Sequence, residues 1–163
     1  MNPLLLSLAM PVSSLPQNLQ RPPEGWGVGI YMGSPTGLAA LNIAHRDKKS
    51  TKQGYVSWNF TTGSFRLVLD QVWELKRASR NDGTSFPLYA GGRLWGHFND
   101  FNGMLGNTGY FNNIGVGLPI GAIYQHEDVA VEGYFELTPA FQISPISAFT
   151  LQAGVGFRFY PSF

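Results

Sequence analysis

Cysteine is absent from this chain of 163 residues, which excludes disulfides, thiolate metal sites and a cysteine nucleophile. Charged residues are scarce as well: they make up 13% of the sequence, roughly half of their usual share in a soluble domain. The formal net charge of +1 gives no basis for nucleic-acid binding, which we do not expect. The sequence also lacks any apolar run near the ~20 residues that a membrane-spanning helix needs.

Positive charge is missing from the N-terminus. The apolar residues from Leu4 to Met10 resemble the core of a secretory signal, yet no lysine or arginine precedes Arg21. The prolines that follow, Pro11, Pro16, Pro22 and Pro23, favour a disordered tail instead. We therefore assign residues 1–23 to a segment that is either signal-like or disordered, and residues 24–163 to one domain.

Glycine and aromatic residues are abundant, and from about Glu24 onward apolar residues alternate with small or polar ones. The last segment shows the pattern well. Phe149 and Phe157 fall on one face, while Gln152 and Arg158 fall on the other. A period of two indicates β-strands, and apolar side chains outward with Arg, Gln and Gly inward are typical of a barrel in lipid.

Alternation and turn residues predict eight strands. They lie at about residues 25–32, 38–44, 55–60, 65–75, 86–95, 114–124, 129–141 and 149–160. Their lengths bracket the ~9–11 residues of a tilted strand that crosses a bilayer. The predicted fold class is therefore all-β: an eight-stranded antiparallel up-and-down transmembrane β-barrel. We expect a monomer that is exported through the periplasm and surrounded by the lipids of a bacterial outer membrane.

The inward series of these strands carries both signs of charge. It contains Arg66, Asp70, Glu74, Arg93, Glu132, Glu136 and Arg158. Counting from the turns places Glu132 opposite Arg158, and Glu74 opposite Arg93. Buried charges persist only when they are paired and hydrogen-bonded, so this series predicts an ion-pair network that fills a narrow lumen.

Seven of the 11 lysines and arginines lie in two short segments that we expect to be turns. They are Arg46, Lys48, Lys49, Lys52, Lys76, Arg77 and Arg80. Two interpretations stay open: solvated caps at a membrane boundary, and contacts with lipid phosphates.

The longest predicted connection runs from Gly96 to Asn113 and is rich in Asn and Gly. Its candidate interaction residues are His97, Phe98, Phe101, Met104, Leu105 and Phe111. Loops on a rigid scaffold often carry function, so this one could bind a surface ligand. Aromatic residues beside a membrane also anchor at the interface, and the sequence favours neither interpretation.

Catalytic and metal-binding patterns are weak. His45, His97 and His126 lie at predicted strand ends or in loops, without metal-ligand spacing. Glu132 and Glu136 share a face, but four residues of strand separate them by ~13 Å, which exceeds the carboxylate spacing of glycosidases. We assign no catalytic residue, no metal and no cofactor, and expect no enzyme activity.

Four segments together resemble a known family. They are residues 29–38 (GIYMGSPTGL), 86–94 (FPLYAGGRL), 114–121 (IGVGLPIG) and 135–140 (FELTPA). The chain is similar in these segments to small eight-stranded outer-membrane β-barrel proteins of bacteria. That resemblance implies a transmembrane barrel with no established enzyme activity and no known cofactor. Ala90 and Gly117 depart from it, since a glycine and a basic residue are usual at these two positions.

These observations favour a structural or surface-interaction barrel with a side-chain-filled lumen. The first alternative is a narrow pore for ions or small solutes, because the lumen is polar. The others are a lipid-modifying outer-membrane enzyme and a soluble barrel that binds an apolar ligand inside. The soluble barrel requires the apolar face inward and the charges outward.

Overall fold

A computed structural model of the chain describes residues 24–34, 37–59, 64–98, 113–126 and 129–161. The regular structure in these ranges is β-strand: β1 (Gly25–Gly33), β2 (Gly37–Asp47), β3 (Ser50–Asn59), β4 (Ser64–Ser79), β5 (Thr84–Phe98), β6 (Asn113–Gly117), β7 (Ile120–His126), β8 (Val131–Ser144) and β9 (Ala148–Phe159). The same ranges contain no helix with the length and apolar character needed to cross a membrane. The segment 1–23 lies outside the described residues.

The nine strands form one ring-like antiparallel sheet. Consecutive strands pair from β1 to β5, β5 pairs with both β6 and β7, and these two pair with β8. β8 then pairs with β9. The sheet closes on itself because β1 pairs with β2 on one side and with β9 on the other. The predicted all-β antiparallel architecture is therefore confirmed.

The strand number differs from the prediction, since the expected sixth strand is divided into β6 and β7. The break falls at Leu118 and Pro119, where proline cannot donate a backbone hydrogen bond to the ladder. Backbone contacts continue on both sides of the break: the Leu118 amide donates to Pro139 at 3.0 Å, and the Gly91 amide donates to Pro119 at 2.9 Å.

Several strands are longer than predicted. The expected basic turns lie largely within strands, because β2 reaches Asp47, β3 starts at Ser50 and β4 continues to Ser79. The turn between β2 and β3 thus narrows to two residues, of which Lys48 has a positive φ of 43°. The clusters of lysine and arginine predicted turns here, but these residues also occur at the ends of strands, where they contact solvent or headgroups.

The outer face of the ring is apolar. Trp26, Leu75 and Phe149 are 63%, 68% and 72% exposed, and the outward residues of all other strands follow the same trend. The inward residues in the middle of the ring are buried, charged ones included. This is the reverse of the arrangement that the soluble, apolar-ligand alternative requires.

Tyrosine and glycine fit together inside the ring. A Cβ added at Gly154 would lie 2.1 Å from Oη of Tyr31, and one at Gly156 would lie 2.3 Å from Cζ of Tyr134. Both tyrosine rings thus occupy the space that a side chain on β9 would need. The glycines of β9 make room for large inward side chains in a narrow ring.

We predict that Gly156→Ala lowers the free energy of unfolding by about 1–3 kcal/mol, because the new methyl group overpacks against Tyr134. Urea unfolding followed by tryptophan fluorescence, with the protein in detergent micelles, measures the change. Gly133→Ala is the matched control, since its Cβ would make an ordinary contact of 3.5 Å with Phe157. Equal stability of the two variants would contradict this packing.

Candidate functional site

The charged side chains inside the ring form two clusters. In the first, Arg93 of β5 binds two carboxylates. Its Nε and Nη2 donate to Asp70 of β4 at 2.8 and 2.7 Å, and Nη2 also donates to Glu136 of β8. Arg93 Nη1 further donates to Thr138 at 3.3 Å. One guanidinium group of β5 thus joins β4 and β8.

The second cluster reverses this arrangement, because one carboxylate binds two arginines. Arg46 Nη2 of β2 lies 2.7 Å from Glu132 Oε2, and Arg158 Nε of β9 lies 2.6 Å from Glu132 Oε1. Gln125 of β7 and Tyr160 donate to the same carboxylate at 2.7 and 3.1 Å. Two donor groups thus lie within 3.1 Å of each carboxylate oxygen of Glu132.

Gln53 of β3 connects the two clusters. Its amide nitrogen donates to Asp70 at 3.1 Å, and its amide oxygen accepts from Nη1 of Arg158. We call the connected set the interior network: Arg46, Gln53, Asp70, Arg93, Glu132, Glu136 and Arg158. Its three arginines and three carboxylates are equal in number and between 0% and 6% exposed, so their charges cancel where water is excluded.

Tyrosines surround the interior network. Tyr31 and Tyr89 donate to the two oxygens of Glu136 at 3.0 and 3.1 Å. Each arginine also lies over a tyrosine ring: Arg46 over Tyr160 at 4.8 Å, Arg93 over Tyr55 at 5.6 Å, and Arg158 over Tyr134 at 4.3 Å. These cation–π contacts stabilise guanidinium groups whose hydration has been lost.

Five of the seven charged residues that the sequence predicted for the lumen belong to the interior network. Two lie apart from it. Glu74 binds Arg77 at the end of β4, with Nε to Oε1 at 2.9 Å, and Arg66 is half-buried and opposite His97 toward the other end of the ring. Five of the seven residues thus meet in the middle of the ring, and the other two lie toward its ends.

The two predicted registers have different outcomes. Glu132 lies opposite Arg158, as predicted. Arg93 lies opposite Asp70 rather than Glu74, which faces Tyr89, so the second register is wrong by four residues. A β-bulge between Glu74 and Lys76 and a turn centred on Asp82 cause the shift. The turn is marked by Asp82 and Gly83, whereas the bulge has no clear sequence signal.

The predicted set of lumen residues does not include Arg46, Gln53, Gln125, Thr138 or the five inward tyrosines. Arg46 was assigned to a basic turn, although it continues the inward series of Asn42 and Ala44 on β2. Extending the alternation by one pair of residues would have found it. The tyrosines carry no charge, and an inward tyrosine is not distinguishable from an outward one without the strand phase.

Two of the six predicted interaction residues lie in a strand. His97 and Phe98 belong to β5, and Phe98 is buried at 6% exposure. Phe101, Met104, Leu105 and Phe111 lie outside the described residues. His45 packs edge-on against Trp26, with 4.9 Å between the ring centroids. Across the part of the chain that the structure describes, no three His, Asp or Glu side chains are grouped so that they could hold a metal ion.

Comparison with known proteins gives no assignment: no family model, no curated protein and no solved structure matches the chain significantly. The resemblance to small outer-membrane barrels therefore stays a prediction. The chemistry of the site is that of a paired, tyrosine-lined charge network, which fixes strands against one another.

We predict that Arg93→Met lowers the free energy of unfolding by about 3–5 kcal/mol, because it leaves two buried carboxylates without a cation. Adding Asp70→Asn to this variant should restore part of the loss, since one of the unpaired charges is then removed. Urea unfolding in detergent micelles measures all three proteins.

Arg80→Gln is the matched control for Arg93→Met. Arg80 lies 3.8 Å from Asp82, and both side chains are exposed, at 70% and 56%. Solvent screens such a pair, so the stability of this variant should equal that of the wild type. A loss for Arg93→Met no greater than for Arg80→Gln would show that the interior network does not stabilise the ring.

Proposed function

We propose that this chain is an eight-stranded transmembrane β-barrel of a bacterial outer membrane, and that it serves as a structural or surface-interaction protein. The observation that carries the proposal is the inverted polarity of the ring. Apolar side chains cover its outside, whereas three arginines and three carboxylates are buried within it. Such a surface is stable in contact with acyl chains and costly in contact with water.

The count of eight follows if β6 and β7 are one interrupted strand. Both lie between β5 and β8, and backbone hydrogen bonds continue past the break at Leu118 and Pro119. The even number that results is usual for single-chain barrels of the outer membrane. The remaining strands have 9 to 16 residues, enough for tilted strands to cross the hydrocarbon core.

The filled interior supports a structural or interaction role over transport. The interior network and its tyrosines occupy the middle of the ring, where a solute would have to pass. A scaffold of this kind leaves its loops as the variable part, and the predicted interaction loop now narrows to residues 99–112, between β5 and β6. We propose this loop as the contact surface.

We predict that the protein fractionates with the outer membrane and is heat-modifiable on detergent gels. A closed barrel keeps its backbone hydrogen bonds in detergent until it is boiled, so unheated and boiled samples should migrate differently. Arg93→Met provides an internal comparison, because a weakened ring should lose the shift at a lower temperature. A soluble protein without a shift would refute the transmembrane proposal.

The pore alternative has one observation in its favour: Gln53 joins the two clusters into a polar path through the ring. We predict that the wild-type protein is nevertheless silent in planar lipid bilayers, because its paired side chains leave no room for a hydrated ion. A general-diffusion porin in the same bilayers is the positive control. Stepwise conductance that changes on Gln53→Ala would favour the pore instead.

A further inference from the structure

An open groove of about 850 Å³ lies on the outer face of the ring, across the five strands β1 to β5. Two outward glycines create it. Gly54 and Gly92 are both part of its lining, and a Cβ added at Gly92 would meet no atom within 4 Å. The sheet therefore has a depression where neighbouring strands carry full side chains.

One side of the groove is polar. The pairing register aligns Trp26, His45, Lys52, Gln71 and Gly92 in a single row across five strands, each opposite the next. All five line the groove. The row begins near the ends of β1 and β2, where Trp26 packs against His45, and it reaches the middle of β5 at Gly92.

The adjacent row is apolar. Ile43, Gly54, Leu69 and Leu94 lie opposite one another in turn, and the three large side chains are 46% to 51% exposed. The groove thus has a polar wall at the level of Lys52 and an apolar wall beside it. Its volume falls within the ~300–1,000 Å³ that small-molecule sites occupy.

The charge of the groove is positive. Lys52 is exposed, whereas the one carboxylate of the lining, Asp70, points into the ring and is bound by Arg93. An occupant with one anionic group and one long apolar chain would satisfy both walls. Lys52 and His45 suit a phosphate, and the two glycines with Leu69 and Leu94 suit a chain of methylene groups.

We propose that this groove binds one anionic glycerophospholipid, with its phosphate at Lys52 and His45 and an acyl chain along Gly54 and Gly92. The inference rests on the proposed function, because a lipid enters such a groove sideways from a bilayer. Lys52 would then act as a selective lipid contact, different from the solvated cap that a lone surface lysine provides.

The test uses the full chain, purified in detergent, with dioleoyl phosphatidylglycerol as probe and dioleoyl phosphatidylcholine for comparison. Native mass spectrometry should show one bound phosphatidylglycerol and weaker binding of phosphatidylcholine. Gly92→Leu should abolish this binding, because the new side chain fills the groove. Lys52→Gln should weaken it roughly five-fold, the equivalent of about 1 kcal/mol for one basic residue.

Two variants serve as controls. Gly133→Leu places the same new side chain on the outer face of β8, outside the groove, and Lys76→Gln removes an exposed lysine of β4 that does not line it. Both should bind phosphatidylglycerol like the wild type. Equal binding of phosphatidylglycerol by the wild type and all four variants would overturn the lipid site. Equal binding of the two lipids by the wild type would overturn it as well.

Heat modifiability is measured on the same preparations, so the two proposals can fail separately. A heat shift without selective lipid binding overturns the lipid site and leaves the transmembrane barrel intact. A soluble protein without a shift overturns both. A dimer that Gly92→Leu dissociates would also overturn the lipid site, because the groove would then hold a second copy of the chain.

Discussion

The contact between Arg93 and its two carboxylates is the constraint on which the rest of the ring depends. Asp70 and Glu136 come from strands that are not neighbours in the sheet, and Arg93 holds both from a third. Two buried carboxylates that contact the same guanidinium nitrogen would repel each other strongly without that cation between them. The narrow ring is therefore considerably more stable with that arginine than without it.

The two clusters inside the ring balance each other's charge. The first cluster has one arginine for two carboxylates, and the second has one carboxylate for two arginines. Gln53 forms hydrogen bonds to both clusters. It therefore links the cluster with an excess negative charge to the cluster with an excess positive charge. The charged groups of the interior network are thus paired within the ring, whereas the large exposed side chains on its outside are mostly apolar.

The sequence predicts the strands well and the network partly. A period of two is a local signal, so alternation locates the strands and identifies Glu132 opposite Arg158 across a short connection. Strand ends depend on how the ring closes, which is not a local property. The inward position of Arg46 and the break at Pro119, by contrast, do follow from local patterns. The tyrosines around the network are absent from the predicted set because they carry no charge, although the alternation that places Arg158 inward also places Tyr160 there.

The β-bulge at Leu75 is a further feature that the sequence does not predict, and it determines which residues of the interior network lie opposite each other. Between the turn and the bulge, β4 and β5 pair in the register of Ser79 opposite Ser85. If that register continued without the bulge, Asp70 would lie opposite Leu94, whose side chain points outward. The extra residue shifts the pairing by one, which brings Asp70 opposite Arg93 on the inner face. The extra residue, Leu75, is an outward residue with 68% exposure, and its insertion determines which charged side chains are paired inside the ring. No pattern in the local sequence predicts the bulge.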